Sequence, residues 1–310
     1  MSDNVKKIFV AGGTGFLGKS VVRRLEKGSV PYVSSSLSQG VDFRDRKQLE
    51  NFFTSEKPDI VINAAAFVGG IQFGYDKPGE IFFNNTLMSA HLIECSRRAG
   101  VTLFINPISN CTYPDVSGKS FREDEWWDGP LHESVLSYGI ARKASWVHAW
   151  AYHKQYGMNF INLIFPNMYG PGDYTDEVRC HALGALVGKM VIAKRNRDAR
   201  VVVWGTGRPV REWLYVEDAV EVIMRSLSIE PIIEPINIGS GKGISIRDLA
   251  FLIKEIVGYD GELVFDESRP DGAAHKVMDV ERCKKVFGWT PSTDLREGIK
   301  KTAVYFEEVL

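Results

Sequence analysis

Residues 10–18 read VAGGTGFLG, which puts Gly12, Gly15 and Gly18 at GxxGxxG spacing between a short apolar run and a helical pattern. That order suits a pyrophosphate. The first glycine permits a tight turn, the second lets the backbone approach the phosphates, and the third lets helix pack on strand. The helix N-terminus adds free N–H groups and the positive end of its dipole. Thr14, Phe16 and Leu17 share this loop and its contacts. The next strand-like run ends in Ser34, Ser35 and Ser36, with no acid before Asp42. NAD sites usually place an acid there for the ribose hydroxyls. Small hydroxyls instead leave room and donors for a 2′-phosphate, so the expected cofactor is NADP. Asp42 and Phe43 either border the adenine or cap the loop.

Such a loop needs a buried strand before it and a helix after it. Residues 6–11 (KIFVAG), 31–36 and 59–65 read as strands, and 16–26 and 46–55 have helical period. The alternation continues with helix 85–98, strand 102–106, helix 138–155 and strand 159–165. This predicts an α/β protein with a Rossmann-type, doubly wound parallel sheet. Residues 166–180 are rich in Gly, Pro, Asp and Tyr and read as an excursion, followed by a helix near 181–194 and a strand at 200–204. The expected layout is a Rossmann domain of residues 1–166 plus about 212–239. A smaller α/β substrate domain takes about 167–211 and 240–310.

Composition narrows the function classes. The chain has 310 residues, 44% apolar and 25% charged, which is ordinary for a folded globular protein. Thirty-eight basic residues nearly cancel thirty-nine acidic ones, leaving a formal charge of −1, so neither nucleic acid nor a membrane surface is an expected partner. The basic run 194–200 (KRNRDAR) lacks interleaved aromatics and reads as a solvated loop. No apolar stretch approaches the ~20 residues of a spanning helix, and the polar N-terminus does not read as a signal peptide. Cys95, Cys111, Cys180 and Cys283 show no CxxC pair and no metal-ligand spacing. Free thiols in a reducing, cytoplasmic setting and no metal are expected.

The motifs GGTGFLG and NAAAFVGG (63–70), Ser109 beyond the fourth strand, and Tyr138 four residues before a basic Arg142 resemble the extended short-chain dehydrogenases/reductases. The resemblance implies NADP contacts by Ala64, Ala65, Ala66, Pro166 and Asn167. It also implies a proton-donating tyrosine. A free tyrosine, with a pKa of about 10, is a poor acid–base group, and a cation one helical turn away favours its phenolate. Residue i+4 lies on the same helix face. The family usually places lysine there, and Arg142 is a departure. Arginine keeps the charge but carries a bulkier, planar head. Lys143, at i+5, points around the helix and does not substitute. A binding-only relative, in which Tyr138 merely packs, stays open as the alternative.

Further segments resemble the GDP-L-fucose synthase branch of that family: SNCTYP (109–114), PNMYGPGD (166–173), VVWGTGRPVREWLYVEDA (202–219), FDESRPDG (265–272) and HKVMDV (275–280). The resemblance implies NADPH-dependent 3,5-epimerisation and 4-keto reduction of GDP-4-keto-6-deoxy-D-mannose, in a homodimer. By motif position it assigns acid–base roles at the sugar to Cys111 and His181, with His181 also near the cofactor. Ser109 and Tyr138 would hold the enolate oxygen. Substrate contacts would come from Asn167, Lys189, Trp204, Arg211 and Lys276, with Arg211 against the diphosphate. A related GDP-4-keto sugar of colitose or heptose type is a second possibility, and a non-catalytic NADP-binding module a third.

Overall fold

The computed structural model describes residues 6–116, 118–174 and 182–310. The first half forms β1 (Ile8–Ala11), α1 (Phe16–Lys27), β2 (Tyr32–Ser35), α2 (Arg46–Glu56), β3 (Ile60–Asn63), α3 (Ile71–Asp76), α4 (Pro78–Arg98), β4 (Leu103–Ser109), α5 (Leu136–Tyr156) and β5 (Phe160–Phe165). The second half forms β6 (Asn167–Tyr169), α6 (Ala182–Asn196), β7 (Arg200–Trp204), β8 (Val210–Tyr215), α7 (Val216–Arg225), β9 (Ile232–Asn237), β10 (Gly243–Ser245), α8 (Ile246–Val257), β11 (Glu262–Asp266), β12 (His275–Lys276), α9 (Glu281–Phe287) and α10 (Leu295–Val309). Among the described residues no helix is long and apolar enough to cross a membrane.

The main sheet has strand order β2-β1-β3-β4-β5-β9, with every neighbouring pair parallel. β1, β3 and β5 are buried along their whole length, which is why they read as unbroken apolar runs. Leu17, Val21 and Leu25 of α1 pack with Val220 and Ile223 of α7 over one face, and Phe53, Leu92 and Ile93 cover the other. Each fully buried aliphatic or Phe side chain contributes roughly 1.5–3 kcal/mol. The strand order changes direction at β1, with β2 on one side and β3 on the other. The crevice beyond the carboxyl ends of β1 and β3 is therefore the topological switch point, where open α/β sheets bind ligands.

β8 organises the second half. It pairs with β6, β10 and β12, while β7 and β11 form a parallel pair of their own. Leu183 and Met190 of α6, Leu249 and Ile253 of α8, and Phe306 of α10 build the core beneath it. β9, far along the chain, returns to the edge of the main sheet.

Some boundaries differ from the sequence expectation. α4 starts at Pro78, not Asn85, because a proline at the first helical turn costs no hydrogen bond. The strand after Asp59 stops at Asn63, and α3 occupies a stretch whose two leading glycines hid its helical character. α5 begins at Leu136, two residues before Tyr138. Asn167–Tyr169, inside the expected excursion, is a strand on β8.

Candidate active site

A cavity of about 430 Å³ opens at the switch point and reaches across to β7, β8 and β12. Its near wall is the glycine loop. A Cβ at Gly12, whose φ is +84°, would lie 2.8 Å from Ala65 N and Cα, and one at Gly18 would run into the Gly12 carbonyl oxygen. Backbone therefore packs on backbone, and Gly15, Phe16 and Leu17 face the cavity. At the end of β2, the Thr14 hydroxyl donates to Ser36 Oγ at 2.8 Å and sits 3.0 Å from Ser38 Oγ. The Ser35 carbonyl accepts from the Gly12 N–H at 2.8 Å, and Ser34 meets Gly13 from the other side. This hydroxyl cluster fits an NADP ribose phosphate. Asp42 is held by Arg44 through Nη2 at 2.6 Å and Nε at 2.8 Å, and that guanidinium draws its carboxyl below the usual range. Asp42 Oδ1 also accepts from the Arg44 N–H at 2.9 Å, and the Phe43 side chain is buried edge-on against Phe9 in the core.

Ala64 and Ala66, beyond β3, line the cavity next to α5. Arg142 is 3% exposed. Its Nε donates to the Tyr138 hydroxyl oxygen at 3.2 Å and its Nη2 to the Ala65 carbonyl at 2.8 Å. α5 is pinned by a buried cluster: Asn106 Nδ2 donates to Ser145 Oγ at 3.1 Å and to Asn162 Oδ1 at 3.0 Å. Lys143 faces elsewhere. Its ammonium donates to the Trp126 carbonyl and lies 4.4 Å from the Trp127 ring centre, and burial pushes it down to about 8.

Ser109 ends β4, and its Oγ accepts from the Cys111 N–H at 3.2 Å. That leaves the Ser109 O–H to donate elsewhere. Both residues line the cavity. Opposite them, Arg211 and Lys276 are register partners on β8 and β12. Burial presses Arg211 below the ordinary arginine value, with Cys111, Asp271 and Asp115 acting the other way. Burial likewise brings Lys276 down to about 8, opposed first by Cys111. The thiol thus sits within electrostatic reach of two cations. Lys276 donates to the carbonyls of Tyr113 at 2.8 Å and Pro114 at 2.9 Å, so it first anchors the loop that carries Cys111. At the far end, the Lys189 ammonium lies 5.4 Å from the Trp204 ring centre. Pro166 and Asn167 complete the wall. His181 and Cys180 lie outside the described residues.

Sequence reasoning missed several lining residues. Ser134 comes from the short turn before α5, and Asp271 ties the loops by accepting from Thr206 N–H and Oγ1–H, both at 2.7 Å. Asn63, Asn110 and Trp213 also line the cavity. Among the described residues, the Asn63 amide, Asn110 Nδ2, Arg142 Nη1 and Trp213 Nε1 are buried without a hydrogen-bond partner. Buried polar groups are normally paired, so these fit a site completed by polar ligands. Arg142 Nη1, beside Ala65 and the glycine loop, fits a cofactor ribose or phosphate. Asn63 and Asn110 stood within quoted motifs, but nothing in the linear pattern marked their amides as unpaired.

The NAD dependent epimerase/dehydratase family model matches residues 8–239. A GDP-L-fucose synthase of Sinorhizobium fredii is 37% identical over 297 residues, spanning 96% of this chain and 94% of the relative. A solved GDP-6-OMe-4-keto-L-xylo-heptose reductase from C. jejuni superposes with a TM-score of 0.93 at 26% identity, covering 98% of each chain. A GDP-L-fucose synthetase from Naegleria fowleri bound to NADP gives 0.89 at 28% identity, covering 99% of this chain and 94% of the other. The glycine loop, the switch-point cavity and these similarities agree, and the chain belongs to the NAD dependent epimerase/dehydratase family.

Proposed function

We propose that the protein is an NADPH-dependent 3,5-epimerase/4-reductase that converts GDP-4-keto-6-deoxy-D-mannose to GDP-L-fucose. The observation that carries this reading is one cavity with two reactive centres, the Tyr138 hydroxyl against a guanidinium and the Cys111 thiol, with Arg211 and Lys276 in the same lining.

The ketone at C4 acidifies the protons on C3 and C5. Inverting each carbon needs a base on one face and an acid on the other, roles given to Cys111 and, by family position, His181. The intermediate carries negative charge on the C4 oxygen. Ser109 and Tyr138 both have their hydroxyl oxygens already accepting a hydrogen bond, from Cys111 N–H and Arg142 Nε. Each O–H is therefore directed to donate, and together they stabilise that oxygen as an oxyanion hole does. When bound, NADPH supplies hydride to C4. Tyr138 supplies the proton to the oxygen, and the adjacent guanidinium stabilises the charge left behind. Gly12, Gly15, Gly18, Thr14, Ser36 and Arg142 would hold the cofactor. Arg211, Lys189 and Trp204 would hold the GDP end, and Asn167 the sugar.

Residues 1–166 with about 212–239 form the cofactor domain in this reading, and the rest closes over the nucleotide sugar. A homodimer fits the exposed Phe82 and Phe83 on α4 and Leu136, Ile140, Val147 and Trp150 on α5, apolar residues clustered on two helices that pack side by side. A cytoplasmic setting fits a working thiol and the free Cys95, Cys111 and Cys283.

The test is NADPH consumption with GDP-4-keto-6-deoxy-D-mannose, with NMR of the product sugar. Consumption with a fucose product supports the reading. Deuterium entering C3 and C5 without consumption would leave an epimerase only. The similarity to the heptose reductase favours one second reading, a heptose-type GDP-4-keto sugar, which turnover of that sugar in preference to the hexose would establish.

A further inference from the structure

Trp213 lies in the cavity wall and has no part in the chemistry above. It is 7% exposed, and its indole body packs in the core beneath β8. Among the described residues its Nε1–H has no hydrogen-bond partner. Trp126 and Trp289 also bury unpaired indole nitrogens, but neither lines the cavity. A buried donor left unpaired is costly to the fold. An indole nitrogen can only donate, so an acceptor oxygen on the occupant of the cavity relieves that cost.

Position says which part of the occupant this is. Arg211 and Trp213 are two residues apart on β8 and so face the same side. Two residues advance about 7 Å along a strand. Arg211 is the residue proposed against the diphosphate, so Trp213 stands one sugar ring beyond it. Its register partner is Asn167 on β6, and Ala182 and Leu186 of α6 share its wall. The guanine end, at Lys189 and Trp204, lies across α6 and β7 instead. We propose that Trp213 is a specificity-determining residue whose indole N–H donates to an oxygen of the hexose ring or its substituents. This rests on the reading of the ligand as a GDP-sugar.

Calorimetry with GDP-mannose and with GDP separates the sugar contact from the nucleotide contact. In Trp213→Phe, and in the isosteric variant with benzothienylalanine at 213, GDP-mannose should bind about fivefold to tenfold more weakly. GDP and NADPH should bind within about twofold of wild type. Because the substitution also removes an unpaired buried donor, the isosteric variant should melt no lower than wild type. A merely structural indole predicts the opposite, a lower melting point with sugar and nucleotide affinities moving together. Equal losses for GDP and GDP-mannose, or no loss in either variant, overturn the proposal. If wild-type protein prefers UDP to GDP, the reading of the substrate falls, and the same comparison with UDP-glucose and UDP still decides the role of Trp213.

Discussion

Arg142 Nε meets the Tyr138 hydroxyl oxygen at 3.2 Å while its Nη2 meets the Ala65 carbonyl at 2.8 Å. One guanidinium thereby joins the helix carrying the tyrosine to the loop that leaves β3. A single ammonium at this position offers no planar fork to span the two. Arg142→Ala should lower NADPH-dependent turnover by about 10²-fold or more and weaken NADPH binding. Arg142→Lys should keep turnover within about tenfold while raising KM for NADPH. Steady-state kinetics at varied NADPH checks both, and wild-type parameters in the alanine variant would remove Arg142 from the mechanism.

Tyr138→Phe separates the two half-reactions. Loss of the donated proton should slow ketone reduction by about 10²–10⁴-fold. Exchange of the C3 and C5 protons with deuterated solvent should slow less than reduction, since Cys111 remains and Ser109 still donates to the C4 oxygen. Cys111→Ala should show the reverse weakness, losing exchange at one carbon at least. NMR of the sugar in deuterated water reads both results from one sample.

Gly18→Ala drives a methyl group into the Gly12 carbonyl oxygen. The loop must open to accommodate it, so NADPH affinity should fall by about tenfold or more, at a fold stability cost of about 1–3 kcal/mol. Fluorescence titration with NADPH, alongside urea unfolding, distinguishes a lost loop from a lost fold.

Glu212 is a structural counterpart to its neighbour Arg211. Its Oε1 accepts from the N–H groups of Ser240 at 2.7 Å and Gly241 at 2.8 Å, and its Oε2 from Met278 N–H at 2.9 Å. Burial raises its pKa despite these donors. Glu212→Ala orphans the buried Met278 N–H and the half-buried Ser240 and Gly241 N–H groups and should cost about 3 kcal/mol or more. Urea unfolding measures this, and a loss under about 1 kcal/mol would show that water replaces the carboxylate.

Lys143 supplies a pH test. Burial lowers it from 10.5 to about 8. The unfolded chain therefore binds the extra proton between those values, and stability gains with rising pH across that window. Lys143→Met should flatten the gain between about pH 8 and 10. Lys276, shifted the same way, would retain its own share. Unfolding midpoints at stepped pH, wild type against variant, decide it.

The glycine loop was legible because its constraint is local. Gly12 and Gly18 are six residues apart, and the clash that forbids a side chain at Gly18 comes from Gly12 itself. The Tyr138–Arg142 pair was legible for the same reason, since helical period alone brings the two together. Trp213 was not, because its meaning depends on register with Asn167, 46 residues earlier, and on a missing partner. Lys276 lines the cavity as a substrate contact would, and its ammonium also grips the Tyr113 and Pro114 carbonyls, a long-range anchor that spacing cannot announce. α3 escaped because Gly69 and Gly70 broke the apolar period just before it.

β8 alternates two kinds of work along its length. Arg211 and Trp213 look into the cavity, while Glu212 and Leu214 fasten the strand to loops and core on the other side. Residues lining the cavity and residues fastening the strand therefore alternate along it, so the strand behaves as a keypad mounted on a fixed rail. Combinatorial substitution at 211, with only aromatic exchanges at the buried position 213, should sample new nucleotide-sugar preferences in chains that still fold. The same diversity placed at 212 and 214 should mostly yield insoluble protein.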